Sequence, residues 1–228
     1  MIIEWNGLPG TGKTTVAGEV KNILEQNEIN CILKHQRPKT KIQKYFSYLF
    51  DGSLHLHYLA RKYAKSIQGK NVREKIQISS LLVYYYRMYL DFQKSCPNKV
   101  LLIDQGIIQG LISIAHTDPI KNRKTLENVV RFISKKISFF IIDCELNPQL
   151  SFERIRIRNT NFGRLDNCED VELKKNLDIQ AENFKIVRDV IKRQTLYPHK
   201  EIDTSLDPHF NAELIVKDFF EAKHEKDN

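Results

Sequence analysis

Residues 1–14 read MIIEWNGLPGTGKT, and the fold turns on whether GLPGTGKT at 7–14 is a loop that holds phosphate. The segment fits G-x-x-x-x-G-K-[ST], with Gly7, Gly12, Lys13 and Thr14 at the fixed positions. At ordinary residue frequencies the pattern arises by chance in about 1% of chains of this length, so its surroundings must decide. The apolar run MIIEW precedes it, and a stretch whose apolar positions Val16, Val20, Ile23 and Leu24 recur at helical spacing follows it. Strand, glycine-rich turn and helix in that order are the setting the loop needs. The glycines let backbone N–H groups turn inward, and the helix start adds partial positive charge. Gly7, Gly10, Thr11, Gly12, Lys13, Thr14 and Thr15 are therefore the candidate ATP site. Within it Lys13 would reach the β and γ phosphates, and Thr14 would offer its hydroxyl to Mg2+.

Outward from the loop, strand character appears at 1–5, 31–34, 99–104, 137–143 and 200–203. The middle three carry near-continuous apolar runs, as parallel strands covered on both faces do. Helical spacing fills 13–27, 40–68 with a break at Asp51-Gly52, 72–95, 122–135, 148–158, 170–195 and 209–222. In 72–95, Ile76, Ser80, Val83, Arg87 and Leu90 lie near one stripe. The alternation predicts an α/β fold with a parallel sheet and helices on both faces, in one domain over 1–223. The polar tail HEKDN at 224–228 is expected to fray.

The chain has 228 residues, 41% of them hydrophobic, and a formal net charge of +8, which favours anionic partners. Cys31, Cys96, Cys144 and Cys168 are scattered without a C-x-x-C pair, which argues against a zinc site or a disulfide framework. The longest apolar runs fall far short of the roughly 20 residues that span a bilayer, so no membrane is expected. The start lacks the marks of a secretory signal, and a cytoplasmic location is expected. The basic run KHQRPKTKIQK at 34–44 carries no nucleic-acid reading motif and follows a strand at the substrate edge, which points to acceptor binding or solubility. His55 and His57, two apart in a helix, face different ways and make a poor metal pair.

Two further features belong with a phosphate loop. Asp104 closes the apolar strand KVLLID, so its carboxylate should emerge at the carboxyl edge of the sheet, where it can hold Mg2+ or accept a proton from an acceptor hydroxyl. Otherwise it caps the helix that starts near Gly106. The segment SFERIRIRNTNFGRLDN gathers Arg154, Arg156, Arg158 and Arg164. Arg154 and Arg158 are four apart and share a helix face, and the loop from Asn159 with Gly163 can fold over a nucleotide as a cationic lid, about 154–166. The alternative is a solvated basic face paired with Glu153 or Asp166. Tyr84, Tyr85 and Tyr86 are three candidates for a base-stacking ring, at least one of which belongs to the core.

With these features in order, the chain resembles the P-loop nucleotide and nucleoside kinases, and most of all their thymidylate kinase branch. The resemblance rests on GLPGTGKTT, the helix with SSLLVYYYR, the strand ending LLIDQG and the lid-like ERIRIRNTNFGR. It implies the three-layer P-loop NTPase fold with strand order 2-3-1-4-5, and transfer of the ATP γ-phosphoryl to a small acceptor, a nucleotide or nucleoside. It also implies Lys13, Asp104, Arg154 and Arg158 as catalytic groups, and Thr14 with Asp104 as metal ligands. Arg37, beside Pro38, together with Arg87 and Gln105 would border the acceptor. The stretch DTSLDP at 203–208 would lie against adenine, and two copies could pair through helices beside the acceptor pocket. Two positions depart from the thymidylate pattern: Gln105 stands where an arginine follows the aspartate, and Pro9 stands where the loop has an acid. Both lie on the acceptor side. A kinase of another small metabolite, or a nucleotide-regulated ATPase acting through a partner, would use the same loop.

Overall fold

The computed structural model describes residues 1–34, 53–67, 72–115, 118–158 and 165–227. Five strands, β1 (Ile2–Gly7), β2 (Cys31–Lys34), β3 (Val100–Ile103), β4 (Phe139–Glu145) and β5 (His199–Asp203), form one parallel sheet in the order β2-β3-β1-β4-β5. Strand positions and order are those expected. The helices among the described residues are α1 (Lys13–Gln26), α2 (Ser53–Ser66), α3 (Val72–Ser95), α4 (Ile107–Ala115), α5 (Arg123–Ser134), α6 (Pro148–Ile157), α7 (Asp170–Gln194) and α8 (Pro208–Asp227).

Two expectations change. Only the start of α4 near Gly106 is readable in the sequence, because IIQGLISIA is short and mostly apolar, with Gln109 and Ser113 as its polar positions on one face. Helix α8 continues through Asp227, into the polar residues expected to fray. The proposed helix over 40–50 and its break at Asp51-Gly52 lie outside the described residues.

Alternation along the central strands builds two cores. Ile2, Leu101, Ile103, Phe139 and Ile141 face one way, against α2, α3, α4, α5 and α7. Ile3, Trp5, Leu102, Phe140 and Ile142 face the other, against α1 and α8. Glu4 and Asn6 share the parity of Ile2 and are buried. Asn6 Nδ2 donates to Asp143 Oδ1 at 2.8 Å, so that face is polar toward the carboxyl edge of the sheet. Asn147 caps α6 by accepting from Gln149 N at 2.8 Å, with Pro148 in the first turn, and thereby fixes where the arginine-bearing helix starts.

Candidate functional site

The glycine-rich loop GLPGTGKT joins β1 to α1. Gly10 and Gly12 have φ of 80° and 79°, the left-handed region that glycine occupies without a Cβ penalty. Lys13 is buried, and its ammonium donates to Gly7 O at 3.0 Å, Leu8 O at 2.7 Å and Thr11 Oγ1 at 3.1 Å. Burial pulls its pKa down to about 8; Asp104 opposes that shift and the Arg158 charge adds to it. Thr14 Oγ1 donates to Asp104 Oδ2 at 2.8 Å across the gap between α1 and the end of β3. A hydroxyl and a carboxylate in contact are hard oxygen donors of the kind Mg2+ takes alongside phosphate. Thr15 is exposed on the first turn of α1, away from the cleft described below.

The arginines divide. Arg154 and Arg158 both face the loop: a Cβ at Gly12 would meet Arg154 Nη1 at 3.9 Å, and both side chains line the cleft. Arg154 Nη2 also donates to Thr204 O at 2.9 Å, which ties α6 to the 203–208 stretch. Arg158 pairs with Asp166, the surface pairing considered for it, while still lining the cleft. Arg156 points away and staples the next segment, donating to Asp166 O at 3.0 Å, Cys168 O at 2.5 Å and Asp170 Oδ1 at 2.9 Å. Arg164, Asn159 and Gly163 lie outside the described residues, as do Arg37 and Pro38. Pro9 is held by α6, its carbonyl accepting from Ser151 Oγ.

A cleft of ≈ 560 Å³ opens beside the loop. One wall is the stripe Ile78, Leu81 and Tyr85 of α3, spaced three and four apart. Polar side chains also line the cleft, from Gln105, Gln109 and Ser113 around α4 and from Gln180 of α7. This settles the tyrosines: Tyr86 is fully buried in the core, and Tyr85 is on the cleft. Gln105 lines the cleft, whereas Arg87 does not, because two residues past Tyr85 a helix has turned by about 200°. The stripe drawn through Ile76, Ser80, Val83, Arg87 and Leu90 is thus a different face from the one the cleft uses. Among the described residues no group of three or more His, Cys, Asp or Glu could hold a metal, and no helix is long and apolar enough to cross a membrane.

Two participants escape a motif-based reading. Glu4 is buried, and its Oε1 accepts from Ile108 N at 2.5 Å and Gln109 N at 3.3 Å while Oε2 accepts from Tyr89 Oη at 3.1 Å. Burial pushes its pKa up to about 7 against the pull of these donors. Gln109 in turn accepts from Gly7 N through Oε1 at 3.1 Å. A lone carboxylate inside the apolar run MIIEW was the available signal for Glu4; Gln109 had none.

No protein-family model and no curated protein matches the sequence. Among solved structures the chain is similar to that of a deoxyadenosine kinase from M. mycoides with bound dATP, at 17% identity and a TM-score of 0.54, over 96% of this chain and 99% of that one. The two share one fold. At this identity the likeness speaks for architecture alone, a five-stranded parallel sheet with helices on both faces.

Proposed function

We propose that the chain transfers the γ-phosphoryl of Mg-ATP to the hydroxyl of a small acceptor, and that the acceptor is a nucleoside. The observation that carries the reading is the convergence on one cleft of the phosphate loop, Arg154 and Arg158, and an aromatic wall at Tyr85, with the Thr14 to Asp104 contact at its edge. Lys13 and the loop amides would position the phosphates, and Thr14 with Asp104 would hold Mg2+, which offsets phosphate charge when bound. Arg154 and Arg158, in a closing segment over 154–166, would meet the charge on the transferred phosphoryl.

The acceptor side supports a nucleoside over a nucleotide. Carboxamides Gln105, Gln109 and Gln180 line the described cleft, and Gln105 stands where the thymidylate pattern carries an arginine for the acceptor phosphate. A thymidylate kinase is the second reading, favoured by the resemblance of the lid and of Arg37 and Arg87 to that branch. ADP release measured with a panel of nucleosides and nucleoside monophosphates separates the two. Turnover of monophosphates only would replace the first reading by the second. Full acceptor-dependent turnover in Lys13→Ala would sink both.

A further inference from the structure

We infer that Gln109 is a specificity-determining residue of the acceptor site, a hydrogen-bond donor fixed in one orientation by the phosphate loop and by Glu4. A side-chain amide can ordinarily turn over and offer either oxygen or nitrogen. Here Gly7 N–H, which can only donate, sits 3.1 Å from the Gln109 amide, so the atom facing it is Oε1. Nε2 has no partner among the described residues, and Gln109 lines the cleft. The result is a donor left to the cleft, whose lining Gln109 shares with Tyr85, Ile78 and Leu81. A planar acceptor lying against Tyr85 with an edge toward Gln109 would accept from Nε2 through an oxygen or unprotonated nitrogen on that edge.

Glu4 makes the donor rigid. Its Oε1 takes the backbone N–H of Ile108 and of Gln109 itself, and thus anchors the first turn of α4. The other oxygen is held by Tyr89, from the helix that also carries Tyr85. Glu4 touches no reacting atom and is a positioning residue, joining β1, α3 and α4. Gln109 therefore links the first glycine of the phosphate loop to whatever occupies the cleft.

The inference rests on the nucleoside reading for the identity of the acceptor, and its test separates the two. Gln109→Glu keeps an oxygen for Gly7 N–H and deletes the donor, whereas Gln109→Leu deletes both; Glu4→Gln keeps an oxygen for α4. Acceptor KM, kcat and the affinity for ADP without acceptor are measured for each, with circular dichroism and thermal melting to confirm folding. Both Gln109 variants should raise acceptor KM by about tenfold, the loss of one hydrogen bond. In Gln109→Leu, ADP affinity should stay within about threefold of the parent, and Glu4→Gln should retain most of the parent acceptor KM where Glu4→Ala does not. Unchanged acceptor KM in Gln109→Leu, or a loss confined to ADP affinity, overturns the inference. If the parent transfers phosphate to no acceptor, the kinase reading fails by itself. Calorimetry of the same nucleosides with the parent and Gln109→Leu then decides the role of Gln109: binding by the parent only supports it, and equal behaviour, including no binding by either, overturns it.

Discussion

Lys13 is a cation largely removed from water, satisfied by two carbonyls and a hydroxyl of its own loop, and its pKa of about 8 records the cost of that burial. A polyphosphate beside it would favour the charged form, so binding near pH 8 should draw in about half a proton per nucleotide, with affinity falling as pH rises beyond 8. Calorimetry in two buffers of different ionisation enthalpy reads this directly, and zero uptake at pH 8 would contradict it. Glu4 works in the opposite sense for stability. Folded, it keeps its proton to about pH 7; unfolded, it loses it near 4.5. Between those values the folded chain binds more protons, so the Glu4 contribution falls as pH rises, by about 3 kcal/mol in all. Urea unfolding from pH 4.5 to 7.5 should show that decline in the parent and a flatter profile in Glu4→Gln; parallel profiles would refute it.

At the scale of elements, the site depends on how closely α4 enters beneath β1 and α3. Gly106, just before α4, has no room for a side chain: a Cβ there would come within 1.9 Å of Tyr89 Oη and 2.7 Å of the Glu4 carboxyl. Gly18, within α1, has nothing within 4 Å of the place a methyl group would take and serves as the contrast. Gly106→Ala should therefore destabilise by about 1–3 kcal/mol and raise acceptor KM, whereas Gly18→Ala should stabilise by about 0.5–1 kcal/mol through helix propensity. Chemical denaturation of both variants checks the pair, and equal effects would show that the Glu4 network gives at no cost. On the opposite flank, α6 is held by Ile155 packing on Leu165, Leu173 and Leu177, with Arg156 stapling the return of the chain. The sequence presents four arginines as one group, but their spacing on α6 turns Arg154 and Arg158 to the cleft and Arg156 to its own backbone.

For the whole molecule, parallel strands bring residues far apart in the chain to one edge: Gly7 ends β1, Asp104 follows β3, and Thr204 follows β5. Arg154 reaching Thr204 O closes this edge over the glycines from the C-terminal half. By itself the sequence determined the five strands, the glycine-rich loop after the first of them and the helix behind that loop. Those signals are local, since a glycine-rich turn between an apolar strand and an amphipathic helix, or an aspartate at a strand end, is written in consecutive letters. Only the tertiary structure decided which other side chains share the cleft with that loop. Tyr85 and not Arg87 faces the cleft because helix phase is set by packing against α2 and α4, and Gln109 becomes a fixed donor because Gly7, 102 positions away, meets its oxygen. Such contacts depend on which faces meet when the two layers close on the sheet, and no short stretch of sequence carries that information.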